Sequence, residues 1–163
     1  MNDGPGDADT GTLLEQFDRL RGTYPRQMSA SLVLPLLQVV QQQKGHVTAA
    51  DAHFVADYAG VPPMQVLEAL SWYTMLHRQP VGRHVVKVCR NIACALRGSD
   101  RLLAHVEKKL SVAPGGTTAD GRFTFLAVEC LASCGTAPVM QVDETYHEQL
   151  DESAVDRVLE ELR

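Results

Sequence analysis

Residues 84–98 read HVVKVCRNIACALRG and residues 123–138 read FTFLAVECLASCGTAP. Each segment opens on a short run of Val, Phe or Thr, residue types that fit a pleated strand, and closes on two cysteines beside a turn. Together they hold all four cysteines of the chain, spaced Cys89-x4-Cys94 and Cys130-x3-Cys134. Two strands ending in such loops would present four sulfurs at one edge of a small sheet. Soft thiolates select zinc or iron-sulfur centres over magnesium or calcium.

Zinc sites commonly use C-x2-C knuckles, and neither pair here has that spacing. A binuclear iron-sulfur rhomb is wider than one ion, so its loops must bring two sulfurs to each iron while backbone N–H groups face the sulfides. Longer spacers suit that geometry, and Gly98 and Gly135 stand where such loops would turn. A Rieske centre needs C-x-H pairs, and none of the six histidines lies two residues after a cysteine. A thioredoxin-type dithiol needs C-x-x-C, which is absent. The spacing fits a 2Fe-2S cluster best, with a structural zinc ion and unliganded core cysteines left as alternatives.

Outward from these segments the periodicity changes near Pro80. Before it the chain reads as four helices. The first has Thr12 and Glu15 in a capping-box pattern and Leu13, Leu14, Phe17 and Leu20 on one face. The second, capped by Ser29 or Ser31 and closed by Gly45, carries Leu32, Leu36, Val39 and Val40, and it tolerates Pro35 only in its first turn. The third runs from a Thr48 cap through Phe54, Val55 and Tyr58 toward Gly60. The fourth starts at Pro62-Pro63 and carries Val66, Leu67, Leu70, Tyr73 and Met75. The apolar faces at Leu32 to Val40 and Val66 to Met75 exceed what so small a bundle is expected to bury alone.

After Pro80, strand HVVKVC is followed by a helix with Leu102, Leu103, Val106 and Leu110 behind a Ser99 cap. Asp120-Gly121 is a hairpin signal into FTFLAVEC, then APVMQV turns into YHEQL, and Asp151 caps a last helix with Val155, Val158, Leu159 and Leu162 on one stripe. The expected fold class is therefore α+β, with residues 1–11 a disordered tail, 12–80 a helical bundle and 81–163 a small sheet with helices packed on it.

At 163 residues the chain can bury a real core without disulfide staples. Its net charge of -5 is spread over both halves, with 5 basic and 8 acidic residues up to residue 80 and 10 basic and 12 acidic after it. Neither half has the basic excess of a phosphate-backbone binder. Residues 47–70 resemble a helix-turn-helix, but the stretch from 44 to 80 holds only Lys44 and Arg78 against Asp51, Asp57 and Glu68, so no nucleic-acid partner is expected. The first residues, MNDGPGDADTGT, do not pattern as a signal peptide, and no run of roughly 20 apolar residues would span a bilayer. A cytoplasmic location without membrane insertion is expected, and there cysteine pairs serve metals or redox chemistry. There is no G-x-G-x-x-G and no P-loop to hold NAD or flavin.

The stretches LPLLQVVQQQKG, GVPPMQVLEALSWYTML with the following PVGRH, VCRNIACALRGSD, FTFLAVECLASCGTAPVM and YHEQLDESAVDRVLEEL resemble the thioredoxin-like 2Fe-2S subunit, the E-type subunit, of bacterial NADH:quinone oxidoreductase (complex I). Related subunits serve NAD-linked hydrogenases and formate dehydrogenases. The resemblance covers residues 13 to 163. It implies an N-terminal helical bundle followed by a thioredoxin-like domain, with Cys89, Cys94, Cys130 and Cys134 as ligands of one 2Fe-2S cluster. It also implies a flavin- and NADH-binding partner subunit that carries FMN and NADH, further iron-sulfur subunits, and a place in a peripheral arm facing the cytoplasm. Alone, such a subunit carries electrons and is not a catalyst.

Two positions depart from the family, which commonly has Gly then Ala where Ala132 and Ser133 stand. A methyl at 132 sits where backbone geometry favours Gly. Ser133 is expected as a solvated turn hydroxyl, with donation to a cluster sulfur as the sharper alternative. Lys87, Arg90, Arg97 and Arg101 bracket the first pair, either offsetting cluster charge or lying solvated, and Glu129 is expected as an exposed strand-end carboxylate. Trp72, Tyr73 and Met75 are expected to pack, and Pro138 to hold its loop rigid.

Overall fold

The computed structural model describes residues 10–25 and 27–162. The expected disorder of residues 1–9 lies outside the described residues, whereas Thr10 and Gly11 are helical. The chain divides into two compact units, Met1–Pro80 and Val81–Arg163.

In the first unit, helix α1 (Thr10–Arg21) buries Leu13 and Phe17. Thr12 lies inside this helix and does not cap it, because the helix begins earlier. A 3-10 turn (Ser29–Leu32) leads into α2 (Val33–Lys44). Neither Ser29 nor Ser31 caps α2; the turn feeds straight into the helix through Leu32, which makes no side-chain cap bond. Pro35 falls in the first turn, where its missing N–H costs nothing. Gly45 closes α2 in the left-handed region at φ 76°. Helix α3 (Ala49–Ala59) starts at the Thr48 cap, and α4 (Pro63–Trp72) at the second of two prolines.

The Phe17 ring packs against Phe54 and edge-on to Tyr58, with centroids 5.8 and 5.0 Å away. Leu32, Leu36, Leu37, Val40, Val66 and Leu70 are all buried in this unit's own core, so the expected surplus of apolar face is absent from Leu32 to Val40 and confined to the end of the Val66 to Met75 stretch. Among the described residues of this unit, the large apolar side chains left in solvent are Leu14 on α1, Met28 before the 3-10 turn, and Met64, Trp72, Tyr73 and Met75 on or just beyond α4, with Trp72 81% exposed. The helix ends at Trp72, so Tyr73 and Met75 leave its buried stripe, and Trp72 does not pack into the core of this unit.

In the second unit, β1 (His84–Cys89) is the second strand of a four-stranded sheet ordered β2-β1-β3-β4, with β2 Phe123–Val128, β3 Met140–Val142 and β4 Thr145–His147. β1 runs parallel to β2 with Val86 opposite Phe125, and antiparallel to β3 with Val88 opposite Met140. Consecutive residues of β1 are buried, Val85 with Val86 and Val88 with Cys89, so both its faces are covered and it reads as a nearly unbroken apolar run. The parallel pair requires a crossover, supplied by α5 (Ile92–Leu96) and α6 (Ser99–Leu110).

Asp120-Gly121 accordingly does not join two long antiparallel strands. It turns the chain before β2, leaving a single antiparallel bridge between Thr117 and Thr124. Gly98 in the left-handed region precedes α6, and Ser99 is its first residue, not its cap; Ser99 is buried, and its Oγ has no hydrogen-bond partner among the described residues.

Helix α7 (Glu152–Glu161) is capped by Asp151, whose carboxylate accepts from Ala154 N–H at 2.7 Å. Leu102 and Val106 from α6 and Val155 and Leu159 from α7 join Val86, Phe125 and Met140 in one core. Gly82 meets the sheet so closely that a Cβ would lie 2.8 Å from the Phe123 carbonyl carbon, which explains a glycine there.

Candidate metal centre

β1 and β2 run parallel and in register, with Cys89 opposite Val128, so the chain leaves both strands at the same end. Cys89 closes β1 and donates its N–H to Val139 at 3.1 Å. Asn91 then caps α5, accepting from Ile92 N–H at 2.8 Å, and this one short helix folds Cys94 back beneath the strand end. Arg90 N–H donates to Val128 carbonyl, 2.9 Å, which locks the first loop to the end of β2. Two residues on comes Cys130, then Ala132 in the left-handed region at φ 56°, and a 3-10 turn over Cys134–Thr136. The Ala137-Pro138 bond is cis and delivers the chain to β3.

Cys89 and Cys94 are buried with Leu131, Ala137 and Val139, while Cys130 and Cys134 are exposed, and all four thiols are free. Burial pushes the Cys94 thiol up to about 11; contact with Cys89 and the charges of Cys89 and Cys134 add to this, against a bond to the Val139 backbone. A metal bound here would take the place of the thiol proton, since the ligand is the thiolate. Ala132 N–H lies 3.3 Å from Cys130 Sγ, an orientation that suits backbone donation to a thiolate. Among the described residues no three His, Cys, Asp or Glu side chains gather closely enough to hold one ion. Four soft sulfur donors, two sheltered and two at the rim, suit a wider iron-sulfur group.

Of the charges that bracket the first pair, two have side-chain partners. Arg90 forms a forked pair with Glu129, its Nε 2.8 Å from Oε1, tying the two cysteine loops together and cancelling two charges beside them. Lys87 reaches Gln141 at 3.5 Å. Arg97 and Arg101 line an open pocket of about 680 Å³ with Leu96, Ala137, Pro138 and Gln149. Gly135 does not adopt a positive φ; that demand falls on Ala132.

Ser133 is neither free in solvent nor turned to a sulfur. Its hydroxyl bonds the Glu148 carboxylate, which also accepts from Thr136 Oγ1 at 2.6 Å. Sequence reasoning missed Glu148, since a partner 15 positions away leaves no periodic signal.

Residues 17–163 match the sequence model of the thioredoxin-like [2Fe-2S] ferredoxin family. The chain belongs to that family. Among this ferredoxin's relatives, an E-type subunit of the NADH-quinone oxidoreductase of Rhizobium meliloti (strain 1021) is 40% identical over 152 residues, or 93% of this chain and 89% of the relative. The E-type subunit of the same oxidoreductase in Escherichia coli (strain K12) is 41% identical over 124 residues, 76% of this chain and 75% of that relative. An NAD+-reducing [NiFe]-hydrogenase solved in the air-oxidized state superposes with a TM-score of 0.70 at 21% identity; the match covers 86% of this chain and 24% of that one, and shows the fold alone. Membership makes this ferredoxin an iron-sulfur protein with an α+β, thioredoxin-like fold behind N-terminal helices.

Ala132 carries a testable cost. A Cβ in the left-handed region costs about 1 kcal/mol relative to Gly. Ala132→Gly is expected to raise the denaturant midpoint of the metal-free ferredoxin by a corresponding amount, read by circular dichroism.

Proposed function

We propose that this ferredoxin is the one-electron relay of an NADH:quinone oxidoreductase of the complex I type, with Cys89, Cys94, Cys130 and Cys134 as the four ligands of one 2Fe-2S cluster. The observation that carries the reading is that parallel strands β1 and β2 end side by side, one leading into the buried pair Cys89 and Cys94 and the other into the exposed pair Cys130 and Cys134. Once bound, the cluster supplies a centre that exchanges single electrons between diferric and mixed-valence states. The chain's own residues do the rest. Leu131, Ala137 and Val139 keep water from the inner pair, Ala132 N–H donates toward Cys130, and the Arg90–Glu129 fork holds the two loops together.

NADH oxidation and FMN belong, in this reading, to a partner subunit whose flavin delivers electrons one at a time, and further iron-sulfur subunits take them onward. The E-type relatives, matched over most of their length, support that assignment. Among the described residues no helix is long and apolar enough to cross a membrane, and we place the chain in a peripheral arm facing the cytoplasm.

The test is composition and magnetism. Protein purified without oxygen is expected to be brown, to contain about two irons and two acid-labile sulfides per chain, and to give an EPR signal on reduction. A colourless protein with one zinc per chain would replace the relay by a zinc-stabilised adaptor.

A further inference from the structure

Resting on the proposed cluster, we infer that Glu148 is a positioning residue for the Cys130–Cys134 loop and that its fixed negative charge holds the cluster's reduction potential down. Cys134 is exposed, so few apolar contacts fix its side of the loop. Polar ties do so instead. Ser133 stands immediately before Cys134 and Thr136 two residues after it, and both hydroxyls bond the Glu148 carboxylate.

The segment that carries Glu148 is itself strapped to the loop. Gln149 N–H donates to Thr136 carbonyl at 2.8 Å, and Leu150 N–H to Pro138 carbonyl at 3.2 Å. Each hydroxyl has one proton, so a serine or threonine donating to Glu148 has none left for a cluster sulfur. Ser133 therefore cannot raise the potential by donating to sulfur in this arrangement; its effect passes through Glu148.

The two hydroxyl donors, Ser133 first, hold the Glu148 carboxyl below the usual carboxylate range, so it is ionised at neutral pH. Reduction adds an electron to an anionic thiolate cluster. A carboxylate one hydrogen bond from the residues flanking Cys134 opposes that added charge and favours the oxidised form. The Arg90–Glu129 pair at these loops neutralises itself, whereas the donors that hold Glu148 are the neutral hydroxyls of Ser133 and Thr136.

The test is a potentiometric EPR titration of the full chain, anaerobically loaded, against four variants. Glu148→Gln keeps the shape and removes the charge, and is expected to move the potential upward. Glu148→Asp keeps the charge and is expected to stay close to the unaltered value. Glu148→Ala is expected to raise the potential and also release iron to a chelator severalfold faster. Ser133→Ala, which keeps the carboxylate, is expected to speed iron release with little change in potential. A Gln variant titrating with the unaltered chain, or an Asp variant shifting as far as Gln, overturns the inference. If the unaltered chain holds no cluster, the proposed function fails and takes this inference with it.

Discussion

Replacing Cys94 by Ala is expected to abolish the cluster while leaving the chain folded. The side chain is 1% exposed, packed with Cys89, Leu131, Ala137 and Val139, so Ala fills most of its volume in an apolar setting. The fold loses about one buried sulfur, a cost on the order of 1 kcal/mol. The loss to metal binding is far larger. A 2Fe-2S rhomb takes two protein donors per iron, and the chain has only four cysteines, so no fifth thiol stands by to replace the missing sulfur. Iron and sulfide content are expected to fall from about two each per chain toward zero, with the reduced-state EPR signal gone. Far-UV circular dichroism should match the unaltered metal-free chain. Full iron with an unchanged spectrum would remove Cys94 from the ligand set and leave its burial a matter of packing.

Those sulfurs were legible because strand and loop announce themselves locally. HVVKVC is β-branched, ends on Cys89, and became β1 with the bounds read from it. Thr48, Gly45, Gly60 and Asp151 each mark a helix end through a short-range backbone requirement, and each is found at one. What failed was of two kinds. Helix α5 is a five-residue turn whose Ile92 and Leu96 are 73% and 82% exposed, so it shows no amphipathic period. Apolarity alone also misled at Trp72 and Met75, since the helix stops before its stripe is complete. The other failures were long-range polar bonds: Glu148 with Ser133 and Thr136, Arg90 with Glu129, Lys44 with Asp51. Nothing in local pattern records which distant side chain a hydroxyl or a carboxylate will meet.

Asp51→Ala is expected to cost the helical unit about 3–5 kcal/mol, the range for breaking a buried ion pair by removing one partner. Asp51 is 1% exposed and does two jobs. One carboxylate oxygen receives the Lys44 ammonium, itself only 9% exposed; the other accepts from the Thr48 N–H at 2.9 Å and hydroxyl at 2.7 Å, completing a reciprocal capping box at the start of α3. Truncation strands the Lys44 charge away from water and frees the cap together. Asp51→Asn keeps an acceptor for Thr48 and loses only the charge, so it is expected to fall between the two. The pH dependence has a definite sign. Burial raises the Asp51 carboxyl, but bonds from Lys44 and Thr48 outweigh it and bring its pKa below the ordinary value. A group depressed in the folded state adds stability that is fully present above its unfolded pKa, about 4, and is lost as the pH falls through the lower folded one. Urea unfolding followed by far-UV circular dichroism should therefore show the gap between the unaltered chain and Asp51→Asn at full width near neutral pH and narrowing below about 4. A gap that stays constant across that window would mean the carboxylate's charge contributes nothing and that the capping bonds alone hold the start of α3.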